Sequence, residues 1–342
     1  MLAIIADDLT GALDTAAPFA SRGLHCEVAL RAGAIPAALA HNPQVLSVDT
    51  GSRDMDPAAA RKATGAVLAQ LPAGSVLFKK VDSRLKGHVA AELDVTPYRS
   101  ALVAPAIPDF GRVAEAGHLK GFGVDTAISI AETLGRHASL AMIPDTRSQD
   151  EMSEGLAKAQ EAGVDLLVGA RGLAEALAQQ MTEKTPARLT DIPTGPSLFV
   201  VGSRDPITLA QIEELRAAHA LRYLPAPNGE RDDALPDGSL ITLVQAVPGS
   251  EPETGRNVSK RLAASVCPAL TAAASTLLLS GGATAGAVLE TMAITHFRLI
   301  GECMPGMGLA HADGHCIITK SGGFGTPGTL KEIADIIRRN AR

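Results

Sequence analysis

The stretch Leu2-Ala-Ile-Ile-Ala6 is an apolar run, and Asp7-Asp8-Leu9-Thr10-Gly11 follows it directly, at the start of an Ala-rich segment. An apolar run of this length is typical of a buried strand, and the segment after it has the composition of a helix. The same succession recurs along the chain. We therefore predict an α/β fold in which helices connect the strands of mostly parallel sheets.

Strand and helix patterns alternate over the whole chain. In the first half, strands are predicted at 2–6, 25–30, 44–49, 75–79, 100–104 and 164–168, and helices at 10–22, 57–70, 126–137 and 151–162. In the second half, strands are predicted at 197–201, 239–244, 276–280, 296–300 and 315–319, and helices at 206–218, 257–273, 284–293 and 327–339. The segment 225–238 is rich in proline, glycine and acidic residues, which predicts a surface loop.

The length of 342 residues favours two domains at roughly 150 residues each. Residues 183–197 contain three prolines in a polar context and cannot continue a helix, which indicates a linker. The predicted domains are therefore 1–182 and 198–342, each a mostly parallel sheet flanked by helices, with an interdomain cleft. Ligands of open α/β sheets bind beyond the carboxyl ends of the strands, so we expect the chemistry directly after each apolar run.

Composition argues against several classes of partner. The formal net charge is −6, aromatic residues make up 3% and Trp is absent, so nucleic acid would find neither a basic nor a stacking surface. No stretch approaches the roughly 18 apolar residues of a membrane span, and the first apolar run is too short for a signal-peptide core. Four scattered cysteines favour a reducing cytoplasm. Because Cys303, His311, His315 and Cys316 match no standard zinc spacing, we expect no protein-ligated metal.

Two adjacent carboxylates, Asp7 and Asp8, follow the first predicted strand. A bound cation or a proton-accepting role would explain their placement despite the repulsion between them. The alternative is a helix start, in which Asp8 or Thr10 caps the helix and Asp7 faces its positive end. Asp14 lies within the same predicted helix and can point back to that end.

A basic segment, Lys79-Lys-Val-Asp-Ser-Arg-Leu-Lys-Gly87, follows another strand. In an extended segment Lys80, Asp82 and Arg84 share one face, so we expect them to act together, and Arg84 suits bidentate binding of a carboxylate. A solvated basic loop is the alternative. Arg53 and Arg112 also come after strands and would add cations to the same rim.

In the second half of the sequence, glycine-rich turns follow the predicted strands, whereas charged segments follow them in the first half. One strand leads to Gly281-Gly282-Ala283-Thr284, and another leads to Lys320-Ser-Gly322-Gly323-Phe-Gly325. Glycines let backbone N–H groups approach a phosphate closely, and a helix N-terminus supplies further donors, so two such turns indicate a nucleotide. Ser203 ends another strand and suits a phosphate or adenine contact. Tight packing of strand against helix is the alternative for each turn.

Together these motifs resemble the four-carbon acid sugar kinase family, which includes threonate, erythronate and 3-oxo-tetronate kinases. The segments that carry the resemblance stand in the family's order: IADDLTGALD (5–14), SR (52–53), KKVDSRLKG (79–87), APAIPDFGR (104–112) with GH (117–118), VGS (201–203), SGGATAG (280–286), GECMPG (301–306) and TKSGGFG (319–325). Two motifs depart from the family pattern. Its Gly-Gly-acid-Thr turn carries Ala283 here, and its Gly-Ser-x-Ser motif ends in Asp205.

The resemblance implies a kinase that uses ATP and Mg²⁺ to phosphorylate a hydroxyl of threonate, erythronate or 3-oxo-tetronate. It implies that the N-terminal domain binds the acid sugar and that the C-terminal domain binds ATP. The alternative, which Ala283 leaves open, is a catalytically weakened nucleotide or sugar sensor of the same fold. The expected partners are ATP and a small-molecule acid sugar, with no nucleic acid and no membrane. Homo-oligomer formation is left open.

The site residues expected from these motifs fall into three groups. The expected catalytic residues are Asp8, Asp82 and Lys80, with either Asp8 or Asp82 as the proton acceptor. The expected substrate ligands are Asp7, Asp14, Arg53, Ser83, Arg84 and Arg112. The expected nucleotide ligands are Ser203, Gly281, Gly282, Ala283, Thr284, Gly322, Gly323 and Gly325.

Overall fold

The structure is a computed structural model that describes residues 1–231 and 237–341. The chain divides into two compact units, Met1–Arg188 and Leu189–Arg342. Each unit contains a mostly parallel sheet with helices in the connections between strands, which confirms the predicted fold class. In the described part of the chain, no helix is both long enough and apolar enough to cross a membrane.

The strands of the N-terminal unit are β1 (Leu2–Ala6), β2 (Cys26–Ala29), β3 (Val45–Asp49), β4 (Val76–Lys80), β5 (Ala101–Ala104), β6 (Arg112–Glu115), β7 (His118–Gly121), β8 (Val124–Ser129), β9 (Ala141–Met142) and β10 (Leu166–Gly169). The main sheet is parallel throughout and has the order β2-β3-β1-β4-β10-β5-β9. The strands β6, β7 and β8 form a small antiparallel sheet. The central strand β1 is apolar and buried along its whole length, as expected for a strand covered on both faces.

The helices of the N-terminal unit are α1 (Leu9–Ala20), α2 (Ile35–Leu39), α3 (Pro57–Leu68), α4 (Val89–Leu93), α5 (Ile130–Leu134), α6 (Gln149–Glu161) and α7 (Arg171–Met181). Asp8 caps α1 and Asp56 caps α3, because the carboxylate of each accepts a hydrogen bond from an N–H group of the first turn. Most of these helices connect parallel strands. Residues that follow β1, β3 and β4 therefore reach the same edge of the sheet.

The predicted helix at 126–137 is wrong over its first residues. The strand β8 occupies them, and α5 is a short helix that starts only after Ser129. Gly121 and Gly123 adopt positive φ angles of 98° and 71°, which form the tight connection into β8. The β-branched residues of β8 favour a strand, and the Ser129 hydroxyl then caps α5.

The strands of the C-terminal unit are β11 (Ser197–Val201), β12 (Arg222–Pro227), β13 (Ile241–Val247), β14 (Thr276–Ser280), β15 (His296–Met304), β16 (Met307–Ala312) and β17 (His315–Lys320). Their order is β12-β13-β11-β14-β17-β16-β15, with β16 antiparallel to both of its neighbours. The helices are α8 (Pro206–Ala218), α9 (Gly255–Val266), α10 (Gly282–Thr291) and α11 (Thr329–Asn340). Leu330, Ile333 and Ile337 of α11 share one helix face and pack into the core of this unit.

Two strands of this unit are absent from the sequence prediction. The strand β12 overlaps the segment 225–238, which is predicted to be a loop, and includes Pro225 and Pro227. It lies at the edge of the sheet, where proline is tolerated because one side of the strand needs no ladder hydrogen bond. Residues 232–236 of the expected loop lie outside the described residues. The strand β16 follows β15 through a turn in which Gly306 has a φ of 80°.

Candidate functional site

Three parallel strands of the N-terminal unit end at one edge of the sheet, and charged residues follow each of them. Asp7 and Asp8 come directly after β1, which lies between β3 and β4. Arg53 belongs to the loop after β3, Lys80 is the last residue of β4, and Asp82 follows it. The structure brings these five predicted site residues together, and we call them the N-terminal charge cluster.

Arg53 is the centre of the N-terminal charge cluster. Its Nε and Nη2 atoms donate to both carboxylate oxygens of Asp7, with 2.7 Å between Nη2 and Oδ1. Nη2 also donates to Asp8 at 3.1 Å, and Nη1 donates to Asp82 at 3.4 Å. Arg53 thus supplies a cation that offsets the repulsion between the adjacent acids. Because the guanidinium is bonded to protein carboxylates, its expected role as a substrate ligand stays a prediction.

Two opposing effects, burial and nearby positive charge, determine the pKa of Asp7. Burial alone would raise the pKa of Asp7, but the hydrogen bond from Arg53 and the charges of Lys79 and Lys80 outweigh it and hold the pKa below its ordinary value. Burial likewise opposes the charge of Arg53, yet the hydrogen bond to Asp7 and the charge of Asp8 raise the pKa of Arg53. Asp7 and Arg53 therefore form an ion pair at neutral pH.

Asp8 begins α1. Its Oδ1 accepts the Gly11 N–H at 2.9 Å, and its Oδ2 accepts the Thr10 hydroxyl at 2.7 Å, so Asp8 is the helix cap and also a partner of Arg53. A larger residue in place of Gly11 would displace the Asp8 carboxylate or the Lys80 ammonium. A β-carbon at this position would lie 2.5 Å from Asp8 Oδ1 and 2.8 Å from Lys80 Nζ. The glycine thus allows the Lys80 ammonium to reach the first turn of α1.

Lys80 is a buried cation that faces this helix start. The residue is only 5% exposed, and its ammonium makes no hydrogen bond with residues 1–231 or 237–341. Lys79, its neighbour in β4, has a different environment, because it forms an ion pair with Glu92 at 2.9 Å and donates to the Ile5 carbonyl at 3.2 Å. An ammonium with unused donors, on a largely buried side chain beside a helix N-terminus, suits an anionic group of a ligand.

The strand alternation expected for Lys80, Asp82 and Arg84 does not extend beyond Val81. The chain turns after this residue, so Asp82 Oδ1 accepts the backbone N–H of Arg84 at 2.9 Å, and the backbone carbonyl of Asp82 accepts the Leu85 N–H at 2.8 Å. Asp82 still reaches Arg53, whereas Arg84 is exposed. The prediction that these three side chains share one face is therefore wrong, because it assumed an extended backbone.

Arg112 and Ser83 meet near Arg84. The Nη1 atom of Arg112 donates to the Ser83 hydroxyl, and its Nε and Nη2 atoms donate to the Phe122 carbonyl at 3.0 and 2.7 Å. Burial and the charge of Arg84 lower the pKa of Arg112. The two cations repel each other, and an anionic ligand would relieve that repulsion.

Two further acids lie near α1. Asp14 forms an ion pair with Arg171 of α7 at 3.2 Å, and its expected role at the start of α1 stays a prediction. Asp49 ends β3 opposite Ala6, and its Oδ1 accepts the Gly51 N–H at 2.7 Å. The sequence prediction does not assign Asp49 to the site, although its position at a strand end would have justified including it.

Three neighbouring strands of the C-terminal unit, β11, β14 and β17, also end at one edge. The turns that follow them contain all the expected nucleotide ligands, which we call the glycine cluster: Ser203, Gly281, Gly282, Ala283, Thr284, Gly322, Gly323 and Gly325. A β-carbon on Gly322 would lie 2.4 Å from Ser203 Oγ, and one on Gly281 would lie 3.5 Å from Ser203 N. The turns are therefore in mutual contact.

Close packing explains part of the glycine cluster. A β-carbon on Gly325, where φ is 91°, would lie 2.4 Å from Thr329 Oγ1. The Thr284 hydroxyl lies 3.4 Å from the Ser259 hydroxyl, inside the unit, so its backbone N–H rather than its side chain is suited to a phosphate. Gly281 has a φ of 101°, and α10 begins after it without a side-chain cap, which leaves the N–H groups of its first turn for a ligand.

Two charged residues of this region, Lys320 and Asp205, are not assigned to the site by the sequence prediction. Lys320 is fully buried, and its Nζ donates to the Thr208 hydroxyl at 3.1 Å and to the carbonyls of residues 321, 322 and 324 at 2.8, 3.1 and 3.3 Å. Burial lowers the pKa of Lys320 to about 8, although the charge of Asp205 opposes this shift. Asp205 caps α8 through Oδ1, and a β-carbon on Gly323 would lie 3.0 Å from its Oδ2.

Two family models match the chain, and so do several characterised proteins. Residues 2–194 match a family model described as a sugar-binding N-terminal domain, and residues 237–330 match one described as a nucleotide-binding C-terminal domain. A D-threonate kinase of Bordetella bronchiseptica is 28% identical, over 98% of this chain and 97% of its own. A D-erythronate kinase of Heliobacterium modesticaldum is 35% identical, over 34% of this chain and 28% of its own.

The fold is also shared with a solved structure from Salmonella typhimurium, which has a TM-score of 0.74 and 17% identity and covers 97% of this chain and 98% of its own. The chain joins a sugar-binding domain to a nucleotide-binding domain and matches kinases over nearly its full length, which places it in the class of small-molecule kinases. The chain belongs to the four-carbon acid sugar kinase family, which confirms the resemblance carried by its motifs.

Proposed function

We propose that this protein transfers the γ-phosphoryl group of ATP to a hydroxyl of a four-carbon acid sugar, with threonate, erythronate and 3-oxo-tetronate as the candidate substrates. The N-terminal domain, residues 1–182, binds the acid sugar, residues 183–197 form the linker, and residues 198–342 bind ATP. The names of the D-threonate and D-erythronate kinases among the relatives support this substrate class. The interdomain cleft remains a prediction.

The Lys80 ammonium is the observation that carries the substrate assignment. An acid sugar has one carboxylate and several hydroxyls, so its site needs a cation for the first and acceptors for the second. Lys80 is 5% exposed and makes no hydrogen bond within the described residues, and the carboxylates of Asp8 and Asp82 belong to the same cluster. Lys80 would bind the carboxylate of the substrate, with Arg84 and Arg112 as further cations.

The glycine cluster supports a nucleoside triphosphate as the second substrate. The first-turn N–H groups of α10 have no side-chain cap, and Gly281 and Gly325 adopt positive φ angles of 101° and 91°. These features let backbone donors approach phosphate oxygens closely. Gly281, Gly282 and Gly323 would contact the phosphates through their backbones, and Ser203 would add a hydroxyl.

Asp205 is the residue that fits a magnesium ion. Nucleotide-bound Mg²⁺ takes one or two protein carboxylates and otherwise uses phosphate oxygens and water. Within the described residues no group of three or more His, Cys, Asp or Glu side chains is placed to hold a metal. Asp205 Oδ1 caps α8, while Oδ2 faces Gly323. When bound, the ion would neutralise charge on the phosphates of ATP.

Positioning and electrostatics would supply most of the rate in this reaction. The substrate hydroxyl attacks the γ-phosphorus, its proton passes to a carboxylate, and the bond to the leaving ADP breaks. Asp8 and Asp82 are the acceptors expected from the sequence. Both carboxylates already accept hydrogen bonds, Asp8 from Gly11 and Asp82 from Arg84, and both are partners of Arg53.

Acid-dependent release of ADP tests the proposal. The purified protein is incubated with ATP, Mg²⁺ and a panel of four-carbon sugar acids, and ADP is measured against a reaction without acid. We expect ADP release above that background with at least one member of the panel. The sensor alternative, which Ala283 favours, predicts a thermal shift with ATP and no turnover. No acid-dependent ADP over the whole panel would contradict the kinase assignment.

A further inference from the structure

We infer that Asp49, at the end of β3, is the group that accepts the proton of the substrate hydroxyl. This inference rests on the proposed kinase function and assigns to Asp49 the step for which the sequence suggests Asp8 or Asp82. It stands on the position of Asp49 in the sheet, on its hydrogen bonds, and on the charges around it.

The alternation of side chains along β3 places Asp49 beside the start of α1. Ser47 points to the face of the sheet that α1 covers, because its hydroxyl donates to the Ala12 carbonyl at 2.8 Å. Asp49 is two residues further on and points to the same face. Ala6 is its register partner in β1, and Asp8 follows two residues after Ala6 to cap α1. Asp49 thus lies at the same edge of the sheet as the N-terminal charge cluster.

A second observation marks this position as a ligand site. The Lys80 ammonium, in a residue that is 5% exposed, lies against Gly11 in the first turn of α1 and makes no hydrogen bond within the described residues. An anionic group bound there would lie at the helix start that Asp49 also faces. A substrate held by its carboxylate at Lys80 would therefore present its hydroxyls to this group of acids.

The hydrogen bonds of the four acids separate Asp49 from the others. Asp7, Asp8 and Asp82 each accept a hydrogen bond from Arg53, so each of these carboxylates already has a cationic partner. Asp49 accepts the Gly51 N–H through Oδ1, and no cation of the described residues donates a hydrogen bond to it. Its Oδ2 is the oxygen suited to a substrate hydroxyl.

The charges around Asp49 make it a stronger base. Burial raises its pKa to about 7, with the Gly51 N–H opposing this shift, and the charges of Asp8 and Asp7 raise the pKa further against that of Arg53. The remaining charged side chains on the elements packed against β3 have partners of their own: Glu27 of β2 with His25, and Asp14 of α1 with Arg171. A general base works best when its pKa is near the working pH.

The step balances without a further reactant. A hydroxyl oxygen of the acid sugar forms a bond to the γ-phosphorus of ATP, and the bond from that phosphorus to the β,γ-bridging oxygen breaks. The hydroxyl proton passes to Asp49 Oδ2, and ADP leaves with the electron pair of the broken bond. Asp49 then releases the proton to water, which restores the carboxylate.

The test is Asp49→Asn, with Asp54→Asn as the matched control because Asp54 is exposed in the loop that follows. Asparagine keeps the acceptor for the Gly51 N–H, so we expect an unchanged thermal unfolding midpoint. We expect kcat to fall about 100-fold or more, with KM for ATP and for the acid within about 3-fold of wild type. Asp54→Asn should keep the wild-type kcat.

The pH dependence of kcat gives a second measurement, and its first part uses the wild-type protein alone. The kcat of the wild type should rise with pH through a midpoint near 7, since Asp49 must be ionised to accept the proton. Asp82→Asn should retain that midpoint, and Asp49→Asn should lose it.

Two failures are distinguishable. A wild-type protein without acid-dependent ADP would overturn the proposed function and this inference with it. Wild-type turnover combined with a kcat of Asp49→Asn within about 10-fold of wild type, or with a rising limb that disappears in Asp82→Asn, would overturn the role of Asp49 and leave the kinase assignment intact.

Discussion

Lys79 and Glu92 form an ion pair with 2.9 Å between Nζ and Oε2, and their side chains are only 0% and 2% exposed. Ser52 also donates its hydroxyl to Glu92. Because Ser52 precedes Arg53, this buried pair holds the loop that carries the central cation of the N-terminal charge cluster. The pair is therefore a structural support of the site rather than a ligand for the substrate.

Removing one member of this pair should destabilise the protein strongly. Lys79→Met leaves the Glu92 carboxylate buried without its cation, so we expect the free energy of unfolding to fall by about 3–5 kcal/mol in urea titrations. Lys158→Met is the control, because its ion pair with Glu154 has exposed fractions of 71% and 69%. It should cost less than about 1 kcal/mol. Equal decreases in the free energy of unfolding in the two variants would show that the buried pair stabilises the protein no more than the exposed pair does.

Lys80→Met should weaken binding of the acid sugar without unfolding the chain. Methionine keeps the length and the apolar stem but removes the charge that faces Gly11. A hydrogen bond to a charged group contributes about 1.5–3 kcal/mol, so KM for the acid should rise about 10-fold to 150-fold in steady-state kinetics, while KM for ATP stays near the wild-type value. Lys86→Met, at an exposed position of the same loop, is the control. An unchanged KM for the acid in Lys80→Met would remove this lysine from the substrate site.

Gly322→Ala should raise KM for ATP selectively. The new β-carbon would lie 2.4 Å from Ser203 Oγ, so the hydroxyl of this expected nucleotide ligand must move. Gly286→Ala within α10 is the control, because a β-carbon there meets nothing within 4 Å, and alanine favours a helix. Kinetics at saturating acid should show at least a 10-fold rise in KM for ATP in the first variant and none in the second. A similar KM for both variants would contradict the nucleotide role of this turn.

The gathering of both clusters follows from chain order and polarity alone. Asp7 and Asp8 come directly after one apolar run, and Lys80 ends another, so a parallel sheet must bring them to a common edge. Ser203 and the two glycine turns meet at the other sheet for the same reason. The positions of these groups were therefore predictable from apolar runs and turn residues.

Partners within each cluster were not predictable in this way. The prediction of a shared face for Lys80, Asp82 and Arg84 is wrong because the backbone turns after Val81. Side chains alternate between faces only as far as the strand extends. Asp49 looks like an ordinary acid in sequence. Its altered pKa depends on burial and on acids that lie more than forty positions away in the chain, which only the folded structure brings near it.

Lys320 provides the last prediction, which concerns pH. Its ammonium joins the Thr208 hydroxyl to the carbonyls of residues 321, 322 and 324, so its charge holds the turn of the glycine cluster. Burial lowers the pKa of Lys320 in the folded state to about 8 from its ordinary value of 10.5. Between these values the unfolded chain binds more protons, so the free energy of unfolding should rise with pH by at most about 1.4 kcal/mol per pH unit.

ATP affinity should change in the opposite direction across the same window. A neutral amine has two donors for the four acceptors around it, so the turn loosens and the Kd for ATP should increase as pH passes 8. Calorimetric titration with ATP at several pH values measures this change, and Lys331→Met, at an exposed side chain with 40% accessibility, is the control. In Lys320→Met the ATP affinity should be weak at every pH and lose its dependence on this titration. If this variant kept the wild-type dependence on pH, another group would be responsible for it, and Lys320 would serve only to fill the core.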